Sequence, residues 1–159
     1  MALRNERPTI LAPHRAYANF QFSMFKRFGN ERRAAIAQIS PQCVYYEPRT
    51  TTRLESWRRQ RFHHRFVLSP AGHGLDCHRT WEALCLGCIP IVRTSPLDVL
   101  WEGLPVWVVN SWSEVTEKTM ERKAEEFDNN EQFDSGRVPE KLLLKTWVDK
   151  IREAGASRI

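Results

Sequence analysis

The sequence predicts an α/β protein with a Rossmann-like open parallel sheet and helices on both faces of that sheet. Short apolar runs alternate with stretches of helical spacing along most of the 159 residues, which is typical of βαβ units. With 42% hydrophobic and 27% charged residues, the composition is that of an ordinary globular domain and not of a disordered or fibrous chain. We therefore expect a single domain over residues 1–159, with any ligand at the carboxyl ends of its strands.

Helix and strand signals alternate through the first half of the chain. Apolar residues at helical spacing precede Pro41, which marks the end of the first predicted helix. Thr52 followed by Glu55 is the capping-box pattern and begins a basic helix. Apolar runs of three or four residues predict the strands. The predicted elements are, in order, a helix at 31–39, a strand at 43–46, a helix at about 53–63 and a strand at 66–68.

The alternation continues in the second half. Gly87 fits the position just past a helix end, Pro90 must lie near the start or edge of its strand, and Pro96 suits the first turn of a short helix. Ser111 with Glu114 predicts the cap of a long polar helix. The predicted elements are a helix at 77–86, a strand at 89–92, a short helix from 95–96, a strand at 105–109, a long helix to about 127, a mobile polar loop at 128–137, and an amphipathic helix from Pro139 with Leu142, Leu143, Thr146, Trp147 and Ile151 at helical spacing.

Charge is unevenly distributed along the chain. The first 66 residues hold 13 Lys and Arg against 4 Asp and Glu, and the remaining residues hold 11 against 15. A basic half allows an anionic partner, including a nucleic acid bound by Arg58, Arg59 and Arg61 with Trp57 and Phe62 as stacking residues. Solvated helix faces explain the same arginines, and we expect no nucleic-acid partner.

The four cysteines are Cys43, Cys77, Cys85 and Cys88. The last two form a C-x-x-C pair, but no second pair and no histidine at zinc-finger spacing accompany it. The pair also lies at the end of a helical pattern and not at a helix start, where a thiolate would be stabilised. We expect small buried hydrophobic residues, and no metal site.

The densest chemical signal is the stretch at 66–92, where a buried strand runs into a glycine-containing loop and then a helix. Gly72 and Gly74 allow a ligand to approach the backbone closely, and the free amides of a helix start attract an anion such as a diphosphate. A tight structural turn explains the two glycines equally well. Ser69 and His73 belong to the same loop, and Asp76 is either a ligand contact or the cap of the helix.

The helix that follows the loop has an apolar and a polar side. On the polar side, Arg79 suits phosphate oxygens and the carboxylate of Glu82 suits the vicinal hydroxyls of a ribose, with His78 beside them. The alternative is an exposed Arg79–Glu82 pair within the helix, which contributes little. No G-x-x-x-x-G-K-[ST] and no D-x-D occurs, which excludes a P-loop enzyme and disfavours a metal-held nucleotide. The positions predicted to face the core are Cys77, Trp81, Leu84 and Cys85.

The stretch at 66–92, together with Ser95-Pro96-Leu97-Asp98, Leu104-Pro105-Val106 and the residues at 111–116, resembles the C-terminal half of exostosin-type glycosyltransferases. The shared pattern is S-P-x-G-x-G-x-D-x-x-R-x-W-E-x-L-x-x-G-x-I-P-I. The resemblance covers about residues 62–116 and continues loosely through 17–20 and 141–151. It implies one half of a GT-B glycosyltransferase, in which two Rossmann-like domains face a cleft and this domain binds the donor, commonly a uridine diphosphate sugar. It implies no metal and no cofactor besides the nucleotide-sugar substrate.

The resemblance also implies residue roles. Gly72 and Gly74 would line the diphosphate, Arg79 would neutralise charge on the leaving nucleotide, and Glu82 would hold the ribose, so that the last two are the catalytic candidates. Related sequences often have a basic residue at the position of Ala71 and an asparagine at that of His73, and His73 would replace part of the lost charge. The implied donor-binding residues are Ser69, Gly72, His73, Gly74, Asp76, His78, Arg79 and Glu82.

The resemblance leaves two functions open. A glycosyltransferase would act on a glycan or glycoprotein acceptor, with the general base on an N-terminal acceptor domain or a partner chain. Most of such a domain is expected to be missing from this chain, so the alternative is a non-catalytic or partner-dependent nucleotide-sugar-binding module. No apolar run approaches the about 20 residues of a membrane-spanning helix, and the first residues lack a signal-peptide pattern. The sugar, the acceptor and the localisation stay open.

Overall fold

A computed structural model describes residues 14–22, 29–47, 51–130 and 138–156. Its centre is a five-stranded sheet in which all neighbouring strands are parallel and the order is β2-β1-β3-β4-β5. The predicted Rossmann-like open parallel sheet is therefore confirmed. The strands are β1 Ala16–Ala18, β2 Val44–Tyr46, β3 Phe66–Leu68, β4 Ile89–Arg93 and β5 Trp107–Val109.

Six helices are present in the described residues, and five of them cover the two faces of the sheet. The helices α1 and α5 pack on one face, and α2, α3 and α4 pack on the other. The helices are α1 Gly29–Gln38, α2 Arg53–His63, α3 His78–Cys85, α4 Asp98–Trp101, α5 Glu117–Asp128 and α6 Leu144–Ala156, and 3-10 turns occupy Pro41–Cys43, Trp112–Glu114 and Glu140–Leu142. No helix in these parts of the chain is both long and apolar enough to cross a membrane.

Alternation along the strands divides the core into two layers. Ala16 and Ala18 face the layer with α1 and α5, and Tyr17, between them, faces the layer with α2 and α3. The larger layer contains Phe66, Ile91 and the fully buried Trp112. A strand buried on both faces needs apolar residues at successive positions, which is why β3 and β4 read as continuous apolar runs.

Several boundaries agree with those predicted from local signals. Thr52 and Glu55 form the predicted capping box at the start of α2. Gly87 follows α3 with a φ of 75°, the left-handed conformation that glycine adopts without strain. Pro90 is the second residue of β4, near its start, where its missing N–H costs least.

Other predictions were wrong. The inner strand β1 was not predicted, because three residues with two alanines give no strand signal. The box of Ser111 and Glu114 caps only the 3-10 turn, and Thr116 caps the long helix α5. The short helix α4 begins at Asp98 and not at Pro96. Of the predicted loop at 128–137, residues 131–137 lie outside the described residues.

The apolar stripe predicted for α3 is displaced by about one residue. Cys77 and Leu84 are buried as predicted, but Cys85 is exposed and Trp81 is half-buried. Thr80 and Ala83 face the core instead: Thr80 lies three residues after Cys77 and four before Leu84, and Ala83 lies three residues after Thr80. The prediction that the C-x-x-C pair is buried is therefore confirmed for Cys88 and wrong for Cys85.

The last helix is amphipathic, as the spacing predicts, but it is little buried. Helix α6 begins at Leu144, after a 3-10 turn that follows Pro139. No residue of α6 is buried, and Ile151 is 71% exposed. Its apolar residues therefore contribute little to the core of the described domain.

Candidate functional site

The strand order places the predicted site loop at the switch point of the sheet. From β1 the chain moves outward to β2, then crosses to β3 on the opposite side and continues to β4 and β5. The carboxyl ends of β1 and β3 therefore border the crevice where ligands bind in doubly wound sheets. Asn19 follows β1, and Ser69 begins the loop after β3. The loop predicted from its glycines lies where the topology predicts a ligand.

A cleft of about 220 Å³ opens beside this switch point, on the layer of α2 and α3. It brings together three of the predicted residues, His78, Arg79 and Glu82. The charged residues of its wall also include Arg53, so three basic side chains face one carboxylate. The full lining is Tyr17, Asn19, Thr51, Arg53, Ser56, Trp57, Gln60, His78, Arg79 and Glu82.

Glu82 is held in the cleft by groups of α2. Its Oε2 accepts a hydrogen bond of 3.1 Å from the indole nitrogen of Trp57, and its Oε1 lies 3.7 Å from Nε of Arg53. Arg79 does not pair with it within the part of the chain that the structure describes. The helix therefore does not form the alternative, an exposed ion pair between Arg79 and Glu82. Both side chains are available to a common ligand.

Arg79 crosses the base of the site loop. Its Nη1 donates to the carbonyl of Pro70 at 3.3 Å and lies 3.4 Å from Sγ of Cys77, and its guanidinium lies 5.2 Å from the ring centre of Phe20. These partners fix the side chain but supply no negative charge. The guanidinium is thus oriented at the carboxyl ends of β1 and β3 without a carboxylate from the described residues.

A second guanidinium, that of Arg32 on α1, lies at the same place and was not predicted. Arg32 is 5% exposed, and it donates from Nε to the Ala71 carbonyl at 3.1 Å and from Nη1 to the Gln21 carbonyl at 2.7 Å. It lies 5.6 Å from the ring centre of Phe20. Burial, followed by the positive charge of Arg79, lowers its pKa. No local signal could reveal Arg32, because the loop it contacts is about 40 residues away in the sequence.

The two glycines of the loop have different surroundings. A Cβ on Gly72 would lie 3.0 Å from Nη2 of Arg32, and the Gly72 amide donates to the Gly74 carbonyl at 3.0 Å. Gly72 therefore makes room for Arg32, and its amide is engaged in this structure. At Gly74 a Cβ would meet only the Asp76 carbonyl at 3.9 Å, and its φ is not left-handed. Nothing in the fold demands glycine at position 74.

The other predicted loop residues lie apart from the cleft. Ser69 is buried, with its Oγ 2.9 Å from Oγ1 of Thr80, and it borders a separate cavity of about 300 Å³. Asp76 accepts a hydrogen bond of 2.8 Å from the Trp81 indole and does not cap α3. His73 is exposed. The structure therefore brings His78, Arg79 and Glu82 together but not these three residues.

The start of α3 remains uncapped by a side chain. Cys77 is the N-cap residue and makes no side-chain cap hydrogen bond. The first amides of this eight-residue helix thus lie next to Arg79 without a side-chain acceptor, an arrangement that favours an anion. No group of three or more His, Cys, Asp or Glu side chains suited to a metal ion occurs among residues 14–22, 29–47, 51–130 and 138–156.

The arginine cluster considered for nucleic acid does not form one surface. Arg58 is exposed, Arg59 pairs with Glu47 at 2.7 Å, and Arg61 is buried. Trp57 packs against the apolar cluster around Val67 and lines the cleft of the candidate site. These residues of α2 therefore have different surroundings and do not act together as one basic surface.

No protein-family model matches the chain, and no curated protein matches it significantly.

Proposed function

We propose that this chain is the nucleotide-sugar-binding domain of a glycosyltransferase, of the exostosin type that its motifs resemble. The observation that carries the proposal is a pair of guanidinium groups, those of Arg32 and Arg79, at the switch point of the sheet. Neither has a carboxylate partner within the described residues, and Glu82 lies in the adjoining cleft. The proposed ligand is therefore anionic and carries hydroxyl groups, as a nucleoside diphosphate sugar does.

The positive charge of Arg32 is unfavourable in its buried position. A buried cation without a counter-charge is costly to desolvate, and Arg32 is buried with only carbonyl partners. A phosphate oxygen at about 4 Å from one guanidinium gains about 4 kcal/mol at an effective dielectric of about 20. A diphosphate between Arg32, Arg79 and the open amides of α3 supplies the missing negative charge.

Arg32 also lies beside position 71, where this chain departs from the exostosin-type pattern. Exostosin-type sequences often have a basic residue where this chain has Ala71, and Arg32 donates to the carbonyl of that same residue. The positive charge expected beside the diphosphate thus comes from α1 and not from the loop. His73, expected to replace this charge, is exposed, and Arg32 fits the role better.

The proposed chemistry follows from these positions. In glycosyl transfer, the bond between the anomeric carbon and the diphosphate oxygen breaks, and the acceptor hydroxyl forms the new glycosidic bond. Arg79 would stabilise the negative charge that develops on the leaving diphosphate, and Glu82 would accept hydrogen bonds from the ribose hydroxyls. The proton of the acceptor hydroxyl passes to a base that we expect on the acceptor-binding domain or chain.

Titration calorimetry with uridine diphosphate tests the proposal. We expect saturable binding that Arg79→Ala weakens by about 10- to 100-fold, because a charge-assisted hydrogen bond contributes about 1.5–3 kcal/mol. Glu82→Ala is expected to weaken binding of uridine diphosphate and to spare that of inorganic pyrophosphate, because only the former has a ribose. Circular dichroism spectra check that both variants fold.

Two exposed positions provide matched controls. Arg58→Ala on α2 and Glu125→Ala on α5 remove the same charges away from the cleft and are expected to leave binding unchanged. Absence of heat with uridine, adenosine, guanosine and cytidine diphosphates would contradict the proposal. So would equal losses in the Arg58 and Arg79 variants, since nonspecific charge would then explain the binding.

A partner-dependent binding module is a second candidate, supported by the size of the cleft. Its 220 Å³ is below the about 300 Å³ at which pockets for small ligands usually begin, so it encloses only part of a nucleotide sugar. Both candidates predict nucleotide binding, and they differ in turnover. Release of uridine diphosphate from a donor by this chain, lost in Arg79→Ala, supports an enzyme; binding without release supports the module.

A further inference from the structure

A second basic pocket lies on the same layer as the cleft but shares no residue with it. It has a volume of about 440 Å³ and borders the edge strand β2. It lies towards the amino ends of the strands, because Arg15 directly precedes β1 and His64 precedes β3. Its lining contains no acidic side chain and consists of Arg15, Tyr45, Arg59, His63 and His64.

Both guanidinium groups of this pocket are held in place by the fold. Arg15 donates from Nε to the Gln42 carbonyl at 3.2 Å. Arg59 donates from Nη1 to Oε2 of Glu47 at 2.7 Å and to the hydroxyl of Tyr45 at 3.3 Å. Glu47 neutralises the positive charge of Arg59. Its side chain is only 2% exposed and lies beneath the wall of the pocket. The pocket therefore keeps a net positive charge even with both histidines neutral.

The back wall of the pocket is a buried histidine between two aromatic rings. His64 is 6% exposed, and its ring centre lies 5.4 Å from that of Tyr17 and 5.3 Å from that of Tyr45. Its Nδ1 lies 3.0 Å from the Arg15 carbonyl and donates to it, which leaves Nε2 unprotonated in the neutral ring. Burial mainly lowers the pKa of His64, and the positive charges of His63 and Arg15 lower it further, against the raising effects of the Arg15 carbonyl and of Glu47.

We propose that this pocket binds a phosphate monoester, with Arg15, Arg59 and His63 around the phosphate and the organic group against the half-buried ring of Tyr45. Guanidinium groups match phosphate oxygens through their paired donors. The volume exceeds that of a phosphate alone and lies in the range of pockets for small organic ligands. The proposal is independent of the proposed function, because no residue of the cleft takes part.

The test compares phenyl phosphate, inorganic phosphate and phenol by titration calorimetry of the full chain. We expect phenyl phosphate to bind more tightly than inorganic phosphate, and phenol not to bind. Arg15→Gln and His63→Gln are each expected to weaken phenyl phosphate binding by about tenfold. Both residues are accessible and make no buried ion pair, so these variants are expected to fold. Arg59 is left unchanged because its loss would leave Glu47 buried without a partner.

Two controls locate the bound phosphate. Arg58→Gln removes an exposed charge from the same helix without touching the pocket, and Arg79→Ala removes a charge from the cleft. Both are expected to leave phenyl phosphate binding unchanged, and nuclear magnetic resonance is expected to show a higher pKa for His64 in the complex. Binding that Arg79→Ala abolishes and Arg15→Gln spares would overturn the proposal, as would equal affinity for both phosphates or no binding at all.

Discussion

At the scale of single residues, three side chains determine most of the chemistry: Arg32, Arg79 and His64. Arg79 is visible in the sequence because its neighbours within one helical turn, His78 and Glu82, suggest a polar site. Arg32 is equally close to the switch point, but its position depends on how α1 packs over the loop after β3. Local spacing in the sequence can therefore identify a cleft residue such as Arg79. The tertiary structure is needed to identify a buried cation such as Arg32.

His64 makes the stability of the fold depend on pH. Burial lowers its pKa below 6.5, the ordinary value that it regains on unfolding. Below about pH 6.5 the unfolded chain binds a proton that the folded chain does not, so the free energy of unfolding falls as the pH falls, by at most about 1.4 kcal/mol per pH unit. Above that pH the effect is absent.

Urea unfolding between about pH 7.5 and 5.5 measures this slope. We expect a shallower slope for His64→Gln than for the native chain, and an unchanged slope for the control His78→Gln, whose side chain is exposed and is not among the groups that shift the pKa of His64. Identical slopes for the native chain and His64→Gln would show that another group controls the acid sensitivity.

Helices and strands differ in how well the sequence predicts them. The bounds of α2 and α3 were predicted within one residue, because caps and glycines act locally. The strand β1 was missed because its place inside the sheet depends on pairing with β2 and β3, which the local sequence pattern does not contain. The same limit applies to the candidate site. Glu82 was predicted from its neighbours on α3, but Arg53 and Trp57, which hold it, lie on α2 and were not predicted.

Helical spacing also fails to predict how much a helix stabilises the fold. Met120 on α5 is fully buried, and Ile151 on α6 is 71% exposed, although both lie at apolar positions of amphipathic helices. We expect Met120→Ala to lower the free energy of unfolding by about 2–5 kcal/mol through the cavity it leaves. Ile151→Ala is expected to change it by less than about 0.5 kcal/mol.

Urea unfolding of the two variants at the same pH gives both values. A loss above about 1 kcal/mol for Ile151→Ala would mean that α6 is covered in solution, for example by another chain. A small loss for Met120→Ala would mean that α5 does not pack on the sheet as the structure has it.

At the scale of the whole molecule, the switch point is also a seam in the sheet. The pairing of β1 with β3 consists of one residue pair, Tyr17 with Val67, whereas the other neighbouring strands pair through three. Arg32 bridges this seam, because it donates to Gln21 after β1 and to Ala71 after β3. The residue that we assign to the anion also joins the two halves of the sheet, so ligand binding and stability are coupled there.

Two opposing effects of Arg32 determine the stability of a variant that lacks it. Desolvation and repulsion by Arg79 make its positive charge unfavourable, but its two hydrogen bonds contribute about 1.5–3 kcal/mol each. We expect the hydrogen bonds to prevail, so that Arg32→Met lowers the free energy of unfolding by about 2–3 kcal/mol in urea. The control Arg33→Met, on the exposed side of the same helix, is expected to change it by less than about 0.5 kcal/mol. If Arg32→Met proves as stable as the control, Arg32 does not hold the seam, and its buried charge is retained for the ligand alone.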